Sequence, residues 1–394
     1  MKIGIEVQRL FRKHKFGIET SSLQLIKKLQ ERYKECQFVV YAKDDEDKEC
    51  LKHSPNLIVK TLSGKLFFDF EQVFLPMAVK NDQVDLIHCT GNTAPYFSSV
   101  PVVQTLHDVI FMDPISSQDT FYQRFGNQYR RKVVPIVTPR SHAVITVSNY
   151  EKERILKRIA IPEDKIRVIY NGIDDQRFRI HEDFSRLAEI KERYKLPQKF
   201  ILFLGNTSAR KNGLRVIEAY AMYASRTENP LPIVTPGLPS EFISDHLASI
   251  NQVDKYKLFK SPGYIRDEDL ALLYSISTIF LYPSLSEGFG MPLVEAMACG
   301  TPVITSNTSC LPEVAGNAAV LIDPLSVDSI ADSIIALSEN ENLRLEKITD
   351  GLVNAKRFSW DKTADQVFEV YEQVYFDTKQ FTPARREQLT LQMH

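Results

Sequence analysis

Two carboxylates and an adjacent pair of cations are the groups in this chain whose types and spacing point to chemistry. Glu287 and Glu295 bound the run Glu-Gly-Phe-Gly-Met-Pro-Leu-Val-Glu, and Arg210-Lys211 lies in Gly-Asn-Thr-Ser-Ala-Arg-Lys-Asn, from Gly205 to Asn212. A loop of the second kind brings main-chain donors and two positive charges to a diphosphate, Arg210 as a planar fork and Lys211 as a compact charge. It matches neither the Walker A pattern nor Gly-x-Gly-x-x-Gly, which counts against an ATPase or a dehydrogenase. A third candidate is His107-Asp108: an imidazole that could donate to a ligand hydroxyl or stabilise a reacting centre, with Asp108 fixing its orientation. Each has a plainer reading: an internally satisfied glutamate in a tight connection, a solvated basic turn, and a histidine bonded to backbone at a strand end.

The elements that must hold these groups follow from local chemistry. Thr278 to Tyr282, with Pro283 behind it, has the length and β-branched character of a buried strand. Gly288 and Gly290 allow positive φ in the loop that follows, Pro292 suits a first helical turn, and Gly300 suits the C′ end. Glu287 therefore sits in a loop at a strand's carboxyl end, and Glu295 about one turn into a short helix. Glu295 is the only charged residue of that helix, and Leu293, Val294, Ala296, Met297 and Ala298 around it are apolar. Such company requires a paired or ligand-bound carboxylate. The first-turn N–H groups of the same helix point toward the loop mouth, where an anion fits.

The same alternation runs through the chain. Strands are expected at Lys2–Val7, Phe38–Ala42, Leu57–Val59, Leu86–Cys89, Val102–Leu106, Ala143–Val147 and Ile166–Tyr170. A helix is expected from about Glu19 to Tyr33 and another after Ser148, its N-cap. Asn171-Gly172-Ile173-Asp174 is a turn signal, and the charged segment to Tyr194 reads as a connector. A second series follows: strands at Phe200–Leu204, Ile233–Thr235, Lys257–Lys260, Thr278–Tyr282, Val303–Thr305 and Ala319–Ile322, with helices between them and on to about Arg357. The expected fold class is α/β, with two doubly wound domains at 1–175 and 176–359. A helix at about 360–376 packs back on the first domain, and 377–394 forms a mobile tail.

Length favours two domains, and 43% hydrophobic with 25% charged residues excludes bulk disorder. A formal net charge of -1 offers no global attraction to nucleic acid. The five cysteines have no Cys-x-x-Cys or Cys/His ligand spacing, so a reducing cytosol and no structural zinc are expected. No apolar run reaches a membrane span, and Lys2 to Val7 starts as a strand rather than a signal peptide. His14, His53, His88 and His142 are scattered, and no metal is assigned. Arg130, Arg131 and Lys132 suit anionic lipid less well than a solvated helix face.

Gly205 with Arg210-Lys211-Asn212, Pro283-Ser284, Glu287 through Glu295, Ala296 to Ile304 and Leu311-Pro312-Glu313-Val314 together resemble the family-four retaining glycosyltransferases of the GT-B fold. Gly263-Tyr264-Ile265, Asp267-Glu268-Asp269-Leu270 and Leu273-Tyr274 match the family's order, while the first half carries only Gly17, His107-Asp108, Val147-Ser148 and Asn171-Gly172-Ile173. The resemblance implies two Rossmann-like domains facing across a cleft, with donor held mainly by the second and acceptor mainly by the first. It gives Arg210 and Lys211 the donor diphosphate, Glu287 the donor sugar, and Glu295 the ribose hydroxyls. The backbone of Tyr264 and Ile265 would hold the base. That of Phe289, Gly290 and Met291, with Pro292 opening the helix, would lie near sugar hydroxyls and phosphate. His107 would lie near the transferred sugar and Gly17 near the phosphates, making Glu287, His107, Arg210 and Lys211 the catalytic set. Where many members have a Gly-rich pair, this chain has Gly17-Ile18-Glu19-Thr20, and Glu19 puts a negative charge beside the expected phosphates.

The expected function is retaining, metal-independent transfer of a hexose, mannose favoured, from a GDP- or UDP-sugar to a saccharide or lipid-linked acceptor. The expected setting is polysaccharide biosynthesis in the cytoplasm, with peripheral contact at the inner face of the membrane, no nucleic-acid partner and no cofactor. A GT-B sugar-nucleotide epimerase or phosphorylase is the enzymic alternative, and a non-catalytic saccharide-binding protein of the same fold is the other.

Overall fold

The structure is a computed structural model that describes residues 1–64, 67–113 and 121–380. The chain divides into two compact units, one formed by residues up to 113, 121–172 and 360–380, the other by 173–359.

In the first unit, β1 (Lys2–Glu6), β2 (Gln37–Lys43), β3 (Leu57–Leu62), β4 (Leu86–Cys89), β5 (Val102–Thr105), β6 (Ala143–Thr146) and β7 (Ile166–Val168) form one sheet in the order β3-β2-β1-β4-β5-β6-β7. Every pairing is parallel. Apolar residues on both strand faces, such as Ile3, Ile5, Val39, Val40, Leu86 and Ile87, are fully or almost fully buried, as a parallel sheet covered by helices requires. Strand order reverses between β1 and β4, the place where such sheets bind ligands beyond the carboxyl ends of their strands.

The long helix Trp360–Gln380 belongs to this unit. Trp360, Val367, Tyr371 and Val374 join the core beneath β1, and Phe368 stacks on Tyr33 with ring centroids 3.6 Å apart. His88 in β4 ties the helix down: one ring nitrogen meets the Tyr371 hydroxyl and the other Thr105 Oγ1, both at 2.7 Å. The helix runs four residues beyond Phe376, because Thr378 bonds back to the Val374 carbonyl at 2.8 Å and nothing in Asp377–Gln380 breaks the turn. The rest of the expected tail, 381–394, lies outside the described residues.

The second unit repeats the plan. β8 (Ile201–Leu202), β9 (Ile233–Val234), β10 (Phe259–Lys260), β11 (Ile279–Tyr282), β12 (Val303–Ser306) and β13 (Ala319–Ile322) lie in the order β10-β9-β8-β11-β12-β13, again all parallel, with the reversal between β8 and β11. The expected connector before β8 is not irregular. It forms the helix Phe184–Arg193, capped by Asp183, and buries Ile190. A single buried apolar residue among charges hides the 3.6-residue period on which a sequence reading depends.

Candidate active site

At the β8/β11 reversal two loops are clipped together. The first follows β8 and ends in the single turn Ala209–Lys211, after which Asn212 takes a left-handed φ of 63° and the helix Gly213–Arg226 begins. Asn212 holds that turn with its amide on the Pro324 carbonyl at 2.7 Å. Gly205 has no space for a side chain, since a Cβ would stand 2.0 Å from the Phe203 ring. The second loop follows β11 and runs to Gly290, whose φ of 89° and tight approach to Leu311 both demand glycine. Helix Met291–Ala298 follows, with Pro292 in its first turn, and Gly300 beyond its end has φ 75°. Leu285 N–H donates to the Arg210 carbonyl at 2.8 Å, and Arg210 Nη1 donates to the Ser286 carbonyl at 2.9 Å.

These clips bring Arg210, Lys211 and Glu287 into direct contact. Arg210 Nη1 lies 2.6 Å from Glu287 Oε2, and Lys211 Nζ lies 2.7 Å from Oε1. Lys211 also reaches the Tyr282 hydroxyl at 3.2 Å and lies 5.0 Å from the centre of that ring. Burial would raise the Glu287 carboxyl, but Lys211, then Arg210, outweigh it and hold the group at about 2. Burial lowers Lys211, opposed by Glu287 and reinforced by Arg210. The result is a carboxylate flanked by two cations, a positively biased cluster held to its geometry by backbone contacts.

Glu295 lies in the same unit with a different partner. Its Oε2 accepts from the Tyr274 hydroxyl at 3.1 Å, and burial raises the carboxyl to about 7, with Tyr274 and Arg177 opposing and Asp267 adding. The apolar helix thus contains a carboxylate with one hydrogen bond in place. Phe289 is buried edge-on against Phe358, centroids 5.4 Å apart, which fixes the loop backbone ahead of Gly290, Met291 and Pro292. Tyr264 and Ile265 follow β10 on an open loop where Gly263 has φ 78°, and Tyr264 is 63% exposed.

His107 and Gly17 belong to the first unit. His107 Nε2 donates to the Thr90 carbonyl at 3.0 Å, and its backbone N–H donates to Asn92 Oδ1 at 2.6 Å. Asp108 does not orient the ring. Its Oδ1 accepts from the Ile110 N–H at 3.0 Å, the local turn contact a short carboxylate makes most easily. Burial lowers the His107 ring, against the pull of Asp108 and the Thr90 bond, so the neutral ring presents Nδ1 as an acceptor rather than the donor expected. Gly17 opens the helix Gly17–Arg32 in open space, with nothing within 4 Å of the point a Cβ would occupy. Glu19 turns back: its Oε2 accepts from the Phe16 N–H at 3.2 Å, half of a capping box, so the departure from a small residue serves the helix start.

Two family models match the chain: glycosyl transferases group 1 over residues 187–351, and glycosyltransferase family 4 over residues 17–177. The chain belongs to glycosyltransferase family 4. O-antigen chain mannosyltransferase B of Escherichia coli is 29% identical over 272 residues, covering 68% of this chain and 70% of that protein. The serotype-specific mannosyltransferase WbdA of Escherichia coli is 26% identical over 332 residues, 80% of this glycosyltransferase, which spans only 40% of that longer relative. Among solved structures, sucrose-phosphate synthase from Thermosynechococcus elongatus has a TM-score of 0.75 at 20% identity, covering 95% of this chain and 99% of that one. Anabaena HepE in complex with UDP-glucose has a TM-score of 0.71 at 18% identity, covering 95% and 100%. The two Rossmann-like units of this glycosyltransferase are those of the GT-B fold.

Sequence reasoning missed two tyrosines that touch the candidate residues, Tyr274 on Glu295 and Tyr282 on Lys211. Both look like core residues by pattern, and both are buried; only their hydroxyls reach the polar groups.

Proposed function

We propose that this glycosyltransferase moves a hexose, mannose before others, from a nucleotide diphosphate sugar to a saccharide or lipid-linked acceptor in cell-surface glycan synthesis. The observation that carries the reading is Arg210 and Lys211 converging on Glu287 at one loop mouth. Two cations with one carboxylate between them suit a diphosphate that gains charge as its bond to the sugar breaks. Mannose is favoured by the names of the O-antigen and serotype-specific relatives, and a nucleotide diphosphate sugar by the ligand in HepE.

In the proposed step the acceptor oxygen bonds to the anomeric carbon on the face the donor phosphate leaves, so configuration is retained. The electron pair of the breaking C–O bond stays on the diphosphate, where Arg210 and Lys211 stabilise it, and the acceptor proton passes to a leaving phosphate oxygen. Glu287 contacts the donor sugar, and Glu295 the ribose hydroxyls. The backbone of Phe289, Gly290, Met291 and Pro292 lies along sugar and phosphate, and that of Tyr264 and Ile265 along the base. On the first unit, His107 accepts from a hydroxyl of the transferred sugar and Gly17 leaves room for phosphate oxygens. The step as drawn needs no metal. It takes place in the cytoplasm, with peripheral contact at the inner membrane face; among the described residues no helix is long and apolar enough to cross a membrane.

The test supplies the full chain with GDP-mannose, then UDP-glucose, with and without neutral mannosides, and follows nucleotide release and the anomeric configuration of the product. Acceptor-dependent release, retained configuration and indifference to EDTA are expected. Arg210→Ala, Lys211→Ala and Glu287→Gln each lower turnover by roughly a hundredfold or more. Transfer at the wild-type rate in all three variants would overturn the site; an altered nucleotide sugar with no acceptor present would mark an epimerase.

A further inference from the structure

Arg177 closely follows the turn signal Asn171-Gly172-Ile173-Asp174, and the proposed transfer step does not use it. Asp174 sets its backbone: the Arg177 N–H is shared between the Asp174 carbonyl at 3.2 Å and Oδ1 at 3.1 Å, and the Arg177 carbonyl accepts from His181 Nε2 at 3.0 Å. The guanidinium lies over the Phe178 ring, 4.7 Å from its centre, and Phe178 packs against Tyr274 with centroids 6.3 Å apart. Tyr274 is the residue that donates to Glu295, so a line of contacts runs from Arg177 to the buried carboxyl. One terminal nitrogen, Nη2, donates to the Asp267 carbonyl, just beyond the loop of Gly263, Tyr264 and Ile265. Nε differs: it is buried and has no hydrogen-bond partner among the described residues. All of these groups belong to the second unit.

We propose that Arg177 is a positioning residue for the nucleoside end of the donor: it links the base-holding loop to Glu295 and is the counter-charge to that carboxyl as it takes the ribose hydroxyls. The inference rests on the transferase reading, which gives Tyr264, Ile265 and Glu295 those roles. A buried donor without an acceptor is rare in a folded protein and costly, and a site completed by its ligand is a physical reason to keep one. The titratable and charged groups that face Glu295 are Tyr274, Arg177, Asp267 and Cys299. Burial keeps Tyr274 a neutral phenol and pushes the Cys299 thiol up to about 12, and Asp267 repels a carboxylate, so Arg177 is the one cation of the four. A carboxylate accepts from both ribose hydroxyls, whereas a carboxylic acid has one oxygen occupied by its own proton; the counter-charge therefore raises donor affinity as well as fixing geometry. A lysine would carry the charge but not the planar fork.

The experiment titrates the full chain with GDP and with UDP by calorimetry at about pH 6, 7 and 8, in wild type, Arg177→Ala, Arg177→Lys and Glu295→Gln. In wild type the affinity of the preferred nucleotide should climb as pH rises through about 7, and Glu295→Gln, which does not titrate, identifies the part of that climb due to this carboxyl. Arg177→Ala should bind about tenfold more weakly at pH 7 and move the climb to higher pH, because the cation that opposes the effect of burial is gone. Arg177→Lys, which keeps the charge, should leave the climb near its wild-type pH. Equal affinity in wild type and Arg177→Ala, or weaker binding with the climb unmoved, as a plain structural clamp would give, overturns the proposal. If Arg177→Ala does not fold, Arg177→Gln, which keeps a donor for the Asp267 carbonyl and drops the charge, decides it on the same profile. Wild type that binds neither nucleotide removes the transferase reading and this inference together; wild type that binds one, with Arg177→Ala unchanged, removes this inference alone.

Discussion

Replacing Glu287 by Gln removes the one negative charge between Arg210 and Lys211 and leaves two cations facing one another. In the native site the carboxyl is held down from 4.5 to about 2. That drop is worth about 3 kcal/mol of preference for the charged form. Because the folded-state value is depressed, this stability is present above pH 4.5 and is lost as pH falls through about 2. Arg210 is 34% exposed, so solvent screening makes the figure an upper bound. For a unit of this size it corresponds to a melting point about 6 to 12 °C lower at pH 7. The assay is scanning calorimetry of wild type and Glu287→Gln at pH 7 and pH 3, with and without GDP. The variant should melt lower at pH 7, approach wild type at pH 3, and gain more from GDP, whose diphosphate replaces the lost charge. Equal melting points at pH 7, or an equal gain from GDP, would refute the reasoning.

Glu295 carries the opposite sign: its folded-state value is raised to about 7, so stability is full below 4.5 and is lost as pH rises through 7. Glu295→Gln should therefore stabilise the ligand-free protein by about 1 to 3 kcal/mol at pH 8 and leave it unchanged at pH 4, read by urea unfolding. Gly205→Ala puts a Cβ 2.0 Å from the Phe203 ring and should cost about 1 to 3 kcal/mol in the same assay. Glu19→Ala loses the bond to the Phe16 N–H and should cost about 1 kcal/mol, while Glu19→Gln, which keeps an acceptor oxygen, should cost much less.

The strand, loop and helix around Glu287 were legible because Gly290, Pro292 and Gly300 each have a backbone reason to be where they are, and their conformations match it. The alternation of buried strands was legible for the same reason, since parallel strands read as apolar runs. That Arg210 and Lys211 meet Glu287 was not readable from local pattern. The contact spans 76 residues and depends on β8 and β11 being neighbours, which only the family resemblance supplied. His107 was found, but its partner was misassigned: Asp108 is adjacent in sequence, whereas Thr90 comes from the neighbouring strand's end.

The most direct test of the diphosphate site is the dissociation constant of GDP-mannose, measured by titration calorimetry on the wild-type chain and on Lys211→Ala. At least a tenfold weaker constant in the variant, with its fold intact by circular dichroism, is the expected result. An unchanged constant would contradict the claim that these cations hold the donor.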